Sequence, residues 1–173
     1  MSKYVGFMVL VVIMLSLIIG CGERKTKEQL FAEAENLENT EKYVEAIKAY
    51  EKFIKQDKKA EKSDQAQYKI ALIYSNNLND FEKSIDAHLK LIEQYSESNF
   101  AVQSLFMIGF IYANNINDLD KAEKYYKEFL EKYPDHELAN SVKWELDHLG
   151  QDINEIEFLN QPAEGVDTTQ PTQ

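Results

Sequence analysis

Cysteine, histidine, glycine and proline are all scarce in this chain, and each shortage closes a class of function. One cysteine among 173 residues excludes an internal disulfide and any metal site built from several thiolates. Three histidines, His88, His136 and His148, give no His-x3-His pair of the kind that holds zinc on a helix. Six glycines leave no glycine-rich loop to cradle a phosphate. No Ser, His and Asp set shares a plausible site. These absences argue against an enzyme, and no catalytic residue, metal or cofactor is expected. Positive charge is scarce too: 19 Lys and Arg face 30 Asp and Glu, for a net charge of −11. No basic stripe is available to neutralise phosphates, so no nucleic-acid partner is expected.

Long apolar runs are missing with one exception. Val5 to Ile19 is a run of 15 residues behind Lys3, shorter than the roughly 20 residues a membrane-spanning helix requires. Residues 1–20 therefore read as a secretory signal. Removal of Lys3 with it takes the net charge from −11 to −12. The run ends in Ile18-Ile19-Gly20-Cys21. This resembles the lipobox of bacterial lipoproteins, which implies a diacylglycerol thioether on Cys21, cleavage before it and an acylated new N-terminus. The competing reading is an incidental cysteine after an uncleaved anchor. Each buried methylene contributes about 0.8 kcal/mol, so several acyl chains hold a protein to a bilayer permanently. Gly22 stands where the enteric inner-membrane signal has Asp, which points to the outer membrane facing the periplasm, with the inner membrane as the alternative. Residues 21–26 then form a lipidated tether, and its Gly22–Lys25 stretch reaches roughly 15 Å when extended.

The body of the chain is organised around Leu105 to Asp135. It contains Leu105-x2-Ile108-Gly109-x2-Tyr112, then Ala122-x3-Tyr126, then Pro134. Small residues at Gly109 and Ala122 sit where two helices cross closely, with large residues around them at helical spacing. Sliding the sequence back by 38 positions gives 12 identities over 38 aligned residues without a gap. Ala71 replaces Gly109 and Ser84 replaces Ala122, so the small crossing is kept. A further copy holds Ala34, Leu37, Ala46, Tyr50, Phe53 and Ile54. Its small residues are 12 apart, against 13 in the later copies, so its turn is one residue shorter.

The predicted first helices cover Thr26–Glu38, Asp64–Ser75 and Phe100–Ala113, and the second helices Glu41–Gln56, Phe81–Tyr95 and Leu119–Tyr133. Thr26-x2-Gln29 fits a capping box. Asp80 and Asp118 are placed to cap second helices. Asn pairs at 76–77 and 114–115 fall between the helices, where a left-handed backbone ends a helix; a ligand role for the amides is the alternative. His88 occupies the position of Tyr50 and Tyr126 and is expected in the core or half-buried. Glu137–Leu149 makes a terminal first-type helix that closes the array. Residues 151–173 are polar, carry two prolines and lack periodicity, so most of this tail cannot order itself. Ile153, Ile156, Phe158 and Leu159 either pack on the closing helix or dock elsewhere.

These residues resemble the tetratricopeptide repeat, and residues 27–150 as a block resemble the tetratricopeptide lipoproteins of the bacterial envelope. Tyr133-Pro134-Asp135 and the lipidated start are similar to the lipoprotein of outer-membrane β-barrel assembly. The repeat number is similar to the repeat domain of the Tol–Pal coordinating protein. The resemblance implies an all-α fold, a right-handed α-solenoid of about three helix hairpins plus a C-terminal capping helix. It also implies that first helices line a concave wall. Phe31, Tyr68, Phe106 and Trp144 recur at one inward position, and Glu35, Leu72, Phe110 and His148 one turn later. Such a column suits an extended or helical apolar peptide. The same rings also serve to pack neighbouring first helices together, and both readings stay open. The implied function is a lipid-anchored adaptor joining envelope proteins or peptides, in outer-membrane protein assembly. The alternatives are Tol–Pal or cell-wall coordination, or an accessory subunit of an envelope enzyme complex.

Overall fold

The structure is a computed structural model that describes residues 25–59 and 61–151. The signal at 1–20, Cys21 and the segment holding Ile153 to Leu159 lie outside the described residues. The described residues form seven α-helices, α1 (Lys27–Asn39), α2 (Tyr43–Gln56), α3 (Ser63–Leu72), α4 (Phe81–Gln94), α5 (Asn99–Ile111), α6 (Leu119–Lys132) and α7 (Ala139–Asp147). There is no strand among the described residues. They fall into two compact units, divided between Gln56 and Asp57.

The first unit is the α1–α2 hairpin. Its start is the expected capping box: the Gln29 N–H donates to Thr26 Oγ1 at 3.3 Å, and the Thr26 N–H to Gln29 Oε1 at 2.9 Å. Leu30, Phe31 and Ala34 of α1 and Ala46, Ile47, Tyr50, Phe53 and Ile54 of α2 are buried. That spacing of three and four puts one apolar stripe on each helix. The Tyr50 hydroxyl donates to Glu38 Oε2 at 2.7 Å, which ties the stripe to the end of α1.

In the second unit α3 pairs with α4, α4 with α5, α5 with α6 and α6 with α7, and α3 also touches α5. Two hairpins and a closing helix therefore lie side by side, with their first helices adjacent. The close crossing is built as its small residues require. Ser84 has no exposed surface, and its Oγ donates to the Ala71 backbone oxygen at 2.8 Å. Ala122 is equally buried against the Tyr126 and Phe129 rings in one cluster.

The second helices α2, α4 and α6 each have 14 residues and start 38 apart, at Tyr43, Phe81 and Leu119. Before each of them one residue is left-handed: Glu41 (φ 60°), Asn79 (φ 51°) and Asn117 (φ 60°). The difference between the first hairpin and the others lies at the end of the first helix. α3 and α5 run on into π-helical turns, Ile73–Asn77 and Tyr112–Ile116. A π turn closes one residue more than an α turn. The Lys42 N–H accordingly reaches back five residues to Leu37 O, whereas Asp80 reaches six, to Tyr74 O, and Asp118 six, to Tyr112 O. The extra residue of the 13-residue spacing is absorbed there.

This corrects one expectation. The Asn pairs at 76–77 and 114–115 belong to the π turns and are not left-handed. The third asparagine of each cluster, Asn79 or Asn117, takes that conformation, because the π turn delays the end of the helix. Asp80 and Asp118 do cap α4 and α6, accepting from the Lys83 and Lys121 N–H groups at 3.2 and 3.1 Å. Each also pairs with the side-chain ammonium of that lysine. This ammonium first, and then the backbone donor, holds each carboxyl below its usual range. Asp118→Asn keeps an acceptor at the cap and removes the charge, so it is expected to unfold at nearly the wild-type urea concentration. Asp118→Ala loses both and should unfold earlier. Equal losses in the two variants would mean that the ion pair, and not the cap, dominates.

Candidate functional site

The four ring positions fall in different surroundings. Phe31 is 4% exposed and meets Tyr50 at 5.6 Å and Phe53 at 5.2 Å, both edge-on. It is a core residue of the first hairpin and leaves no face for a partner. The sequence places it in the ring column. The structure removes it, because α2 brings two large rings against it at the spacing that buries them.

In the second unit the rings are half-buried. Tyr68 on α3 lies 5.1 Å from Phe100 and 5.6 Å from His88, and burial raises its hydroxyl above the ordinary tyrosine range. Phe106 on α5 sits 6.1 Å from Phe110, one helical turn on, and 6.1 Å from the buried Tyr126. Trp144 on α7 stacks on His148 at 4.5 Å with 23° between the planes. His148 Nδ1 lies 2.8 Å from the Trp144 backbone oxygen, which fixes the ring over the indole. Leu72 is half-buried at the position of Phe110 one repeat earlier, and Glu35 of the first hairpin is half-buried as well.

Three ring pairs thus lie along the first helices of the second unit: Tyr68 of α3 with Phe100 of α5, Phe106 with Phe110 within α5, and Trp144 with His148 within α7. Every ring of these pairs is half-buried; Phe106 packs against the core that holds Tyr126, and Tyr68 against the buried His88. Packing and exposure therefore coexist at these rings in this unit, whereas Phe31 in the first unit is buried. Phe100 was not legible as a member. It stands two residues after Ser98, whose Oγ accepts from the Phe100 N–H at 3.1 Å, and that cap aims the ring back at α3. The Ser98 hydroxyl itself donates to Asp64 of α3 at 2.6 Å.

Burial raises the Glu145 carboxyl above its ordinary range, with Tyr126 and His148 opposing the shift. The Tyr126 hydroxyl is buried without a partner in hydrogen-bonding geometry, and its pKa is raised by burial first and by Glu145 second. A second aromatic feature lies at the π turns. Tyr112 and Tyr125 stack 5.7 Å apart at 11°, with Lys121 over the first ring at 4.9 Å. Tyr74 and Lys83 repeat the contact at 5.6 Å. These lysines are held by the capping aspartates, which makes the cluster part of the turn.

Among the described residues, no group of three or more His, Cys, Asp or Glu could hold a metal ion. No helix among them is long and apolar enough to cross a membrane. What the ring groups can do is accept apolar side chains on their open faces while a partner's polar groups stay solvated.

No curated protein matches the chain. A family model described as the tetratricopeptide repeat matches residues 65–98 and 103–136. The two intervals start 38 residues apart and take in the α3–α4 and α5–α6 hairpins. The paired helices of residues 65–136 are thus similar to tetratricopeptide repeats, modules of two helices that stack side by side.

Proposed function

We propose that this chain is a lipid-anchored adaptor of the bacterial envelope, which holds an apolar peptide segment of another envelope protein against the first helices of its second unit. The observation that supports the reading is the recurrence of half-buried ring pairs, Tyr68 of α3 with Phe100 of α5, Phe106 with Phe110 on α5 and Trp144 with His148 on α7. A partner helix or strand with apolar residues at regular spacing would meet one group after another. Tyr68, Leu72, Phe106, Phe110, Trp144 and His148 form the contact, and Phe31 does not take part. The lipid anchor at Cys21 and residence at the outer membrane rest on the leader sequence. The net charge, −11 for the full chain and −12 once residues 1–20 with Lys3 are removed, should keep the folded part from lying flat on an anionic surface.

A photo-crosslinking side chain at Tyr68 or Phe110, in living cells, is expected to capture an envelope protein. The double variant Phe106→Ala, Trp144→Ala should lose the adduct and keep its helical circular dichroism. Adducts with outer-membrane assembly factors would place the adaptor there, and adducts with Tol–Pal or wall-synthesis proteins would place it with those. Adducts from the exposed Leu89 on α4, with none from Tyr68 or Phe110, would overturn the choice of surface. Recovery of the Cys21→Ala protein in membranes as before would remove the lipid anchor from the account.

A further inference from the structure

His88 is the only histidine of the chain that the structure buries completely. It sits on α4, where three helices meet. Its Nδ1 lies 2.8 Å from Ser104 Oγ on α5, and the Tyr68 ring of α3 faces it edge-on at 5.6 Å. Its Nε2 is buried and has no hydrogen-bond partner. A protonated imidazole carries N–H on both nitrogens, so the cation would leave one donor unpaired in an apolar seam, a costly arrangement.

Nothing around the ring compensates a charge. α5, Asn99–Ile111, contains no acid, no base and no tyrosine. From α3 the ionisable group against the ring is the Tyr68 phenol, which burial keeps neutral. From the adjoining π turn, Tyr74 is engaged with Lys83. On α4 itself Asp86 and Lys90, to either side in sequence, are exposed. Burial alone pushes the imidazole down to about 3.

We propose that the seam between α4 and α5 is an acid-sensitive joint, opened by a proton taken up at His88, and that its opening frees Tyr68 from the wall of rings. The sign follows from linkage. The folded group binds its proton less tightly than the unfolded one, so stability is full above the unfolded value of about 6.5 and declines as pH falls below it. The joint rests on the buried His88–Ser104 pair and the unpartnered Nε2, and needs no partner protein. Release of a partner also rests on the functional reading above.

Urea unfolding of the full chain at pH 7.5 and pH 5.0 tests the joint without any partner. The unfolding constant of the wild type should rise about thirtyfold more than that of His88→Leu, Ser104→Ala, which replaces both members of the polar pair by apolar groups. His88→Phe serves as the second variant and should show the same flat response. Equal pH responses in wild type and both variants would overturn the joint. For release, the Phe110 crosslink should weaken at pH 5.0 in the wild type and persist in the double variant. Adducts that ignore pH in both proteins would overturn release and leave the urea result standing. Absence of adducts at either pH would count against the adaptor reading and not against the joint.

Discussion

Gly109→Ala is expected to destabilise the second unit by about 2–3 kcal/mol, as an overpacked crossing does. A Cβ at position 109 would lie 2.6 Å from Tyr126 Cε1 and 2.7 Å from its Cδ1. These atoms belong to a ring with no exposed surface, with Phe106 stacked beside it, so it cannot swing aside. The preceding repeat shows the remedy that sequence divergence found. There the glycine is Ala71 and the ring opposite in register is the smaller His88. Gly109→Ala combined with Tyr126→His should therefore cost less than the sum of the two single changes, by at least about 1 kcal/mol. Urea midpoints of the four proteins measure the coupling. Strict additivity would mean that the ring and the glycine do not share space.

Phe31→Ala should do more damage than any other change in the ring column. Its ring holds the T-shaped contacts to Tyr50 and Phe53, and removing a buried ring of this kind costs about 3–5 kcal/mol. A hairpin of two short helices has little reserve against such a loss. Amide hydrogen exchange along α2 should rise to near the unfolded rate in this variant. Phe110→Ala, at a half-buried position, should leave exchange in α5 and α6 close to wild type. Retained protection at Phe53 in the Phe31 variant would show that the hairpin core does not depend on that ring.

The two variants mark how far a linear reading goes. Gly109, Ala122, Ser84 and the 38-residue slide are properties of residue size and spacing, and they placed every helix to within a few residues. The capping box at Thr26 and the caps at Asp80 and Asp118 were legible because a cap binds only the next few residues. The one-residue difference between 12 and 13 was visible as well, but its form was not. Whether an extra residue becomes a longer loop or a π turn depends on packing around it. The three asparagines of each cluster look alike in sequence, and only the delayed helix end selects Asn79 and Asn117.

Hydrophobic size and period thus determined the hairpins and their register, because those patterns act along a single helix, and the resemblance to the repeat family picked out the ring positions expected to face inward. Which rings are sealed and which stay open was decided by neighbours distant in sequence. Tyr50 and Phe53 close over Phe31, whereas Tyr68, Phe106 and Trp144 keep part of their surface in solvent. The same holds for His88: its place in the repeat made it an interior residue, but only the tertiary contacts with Ser104 and Tyr68 leave its second nitrogen without a partner.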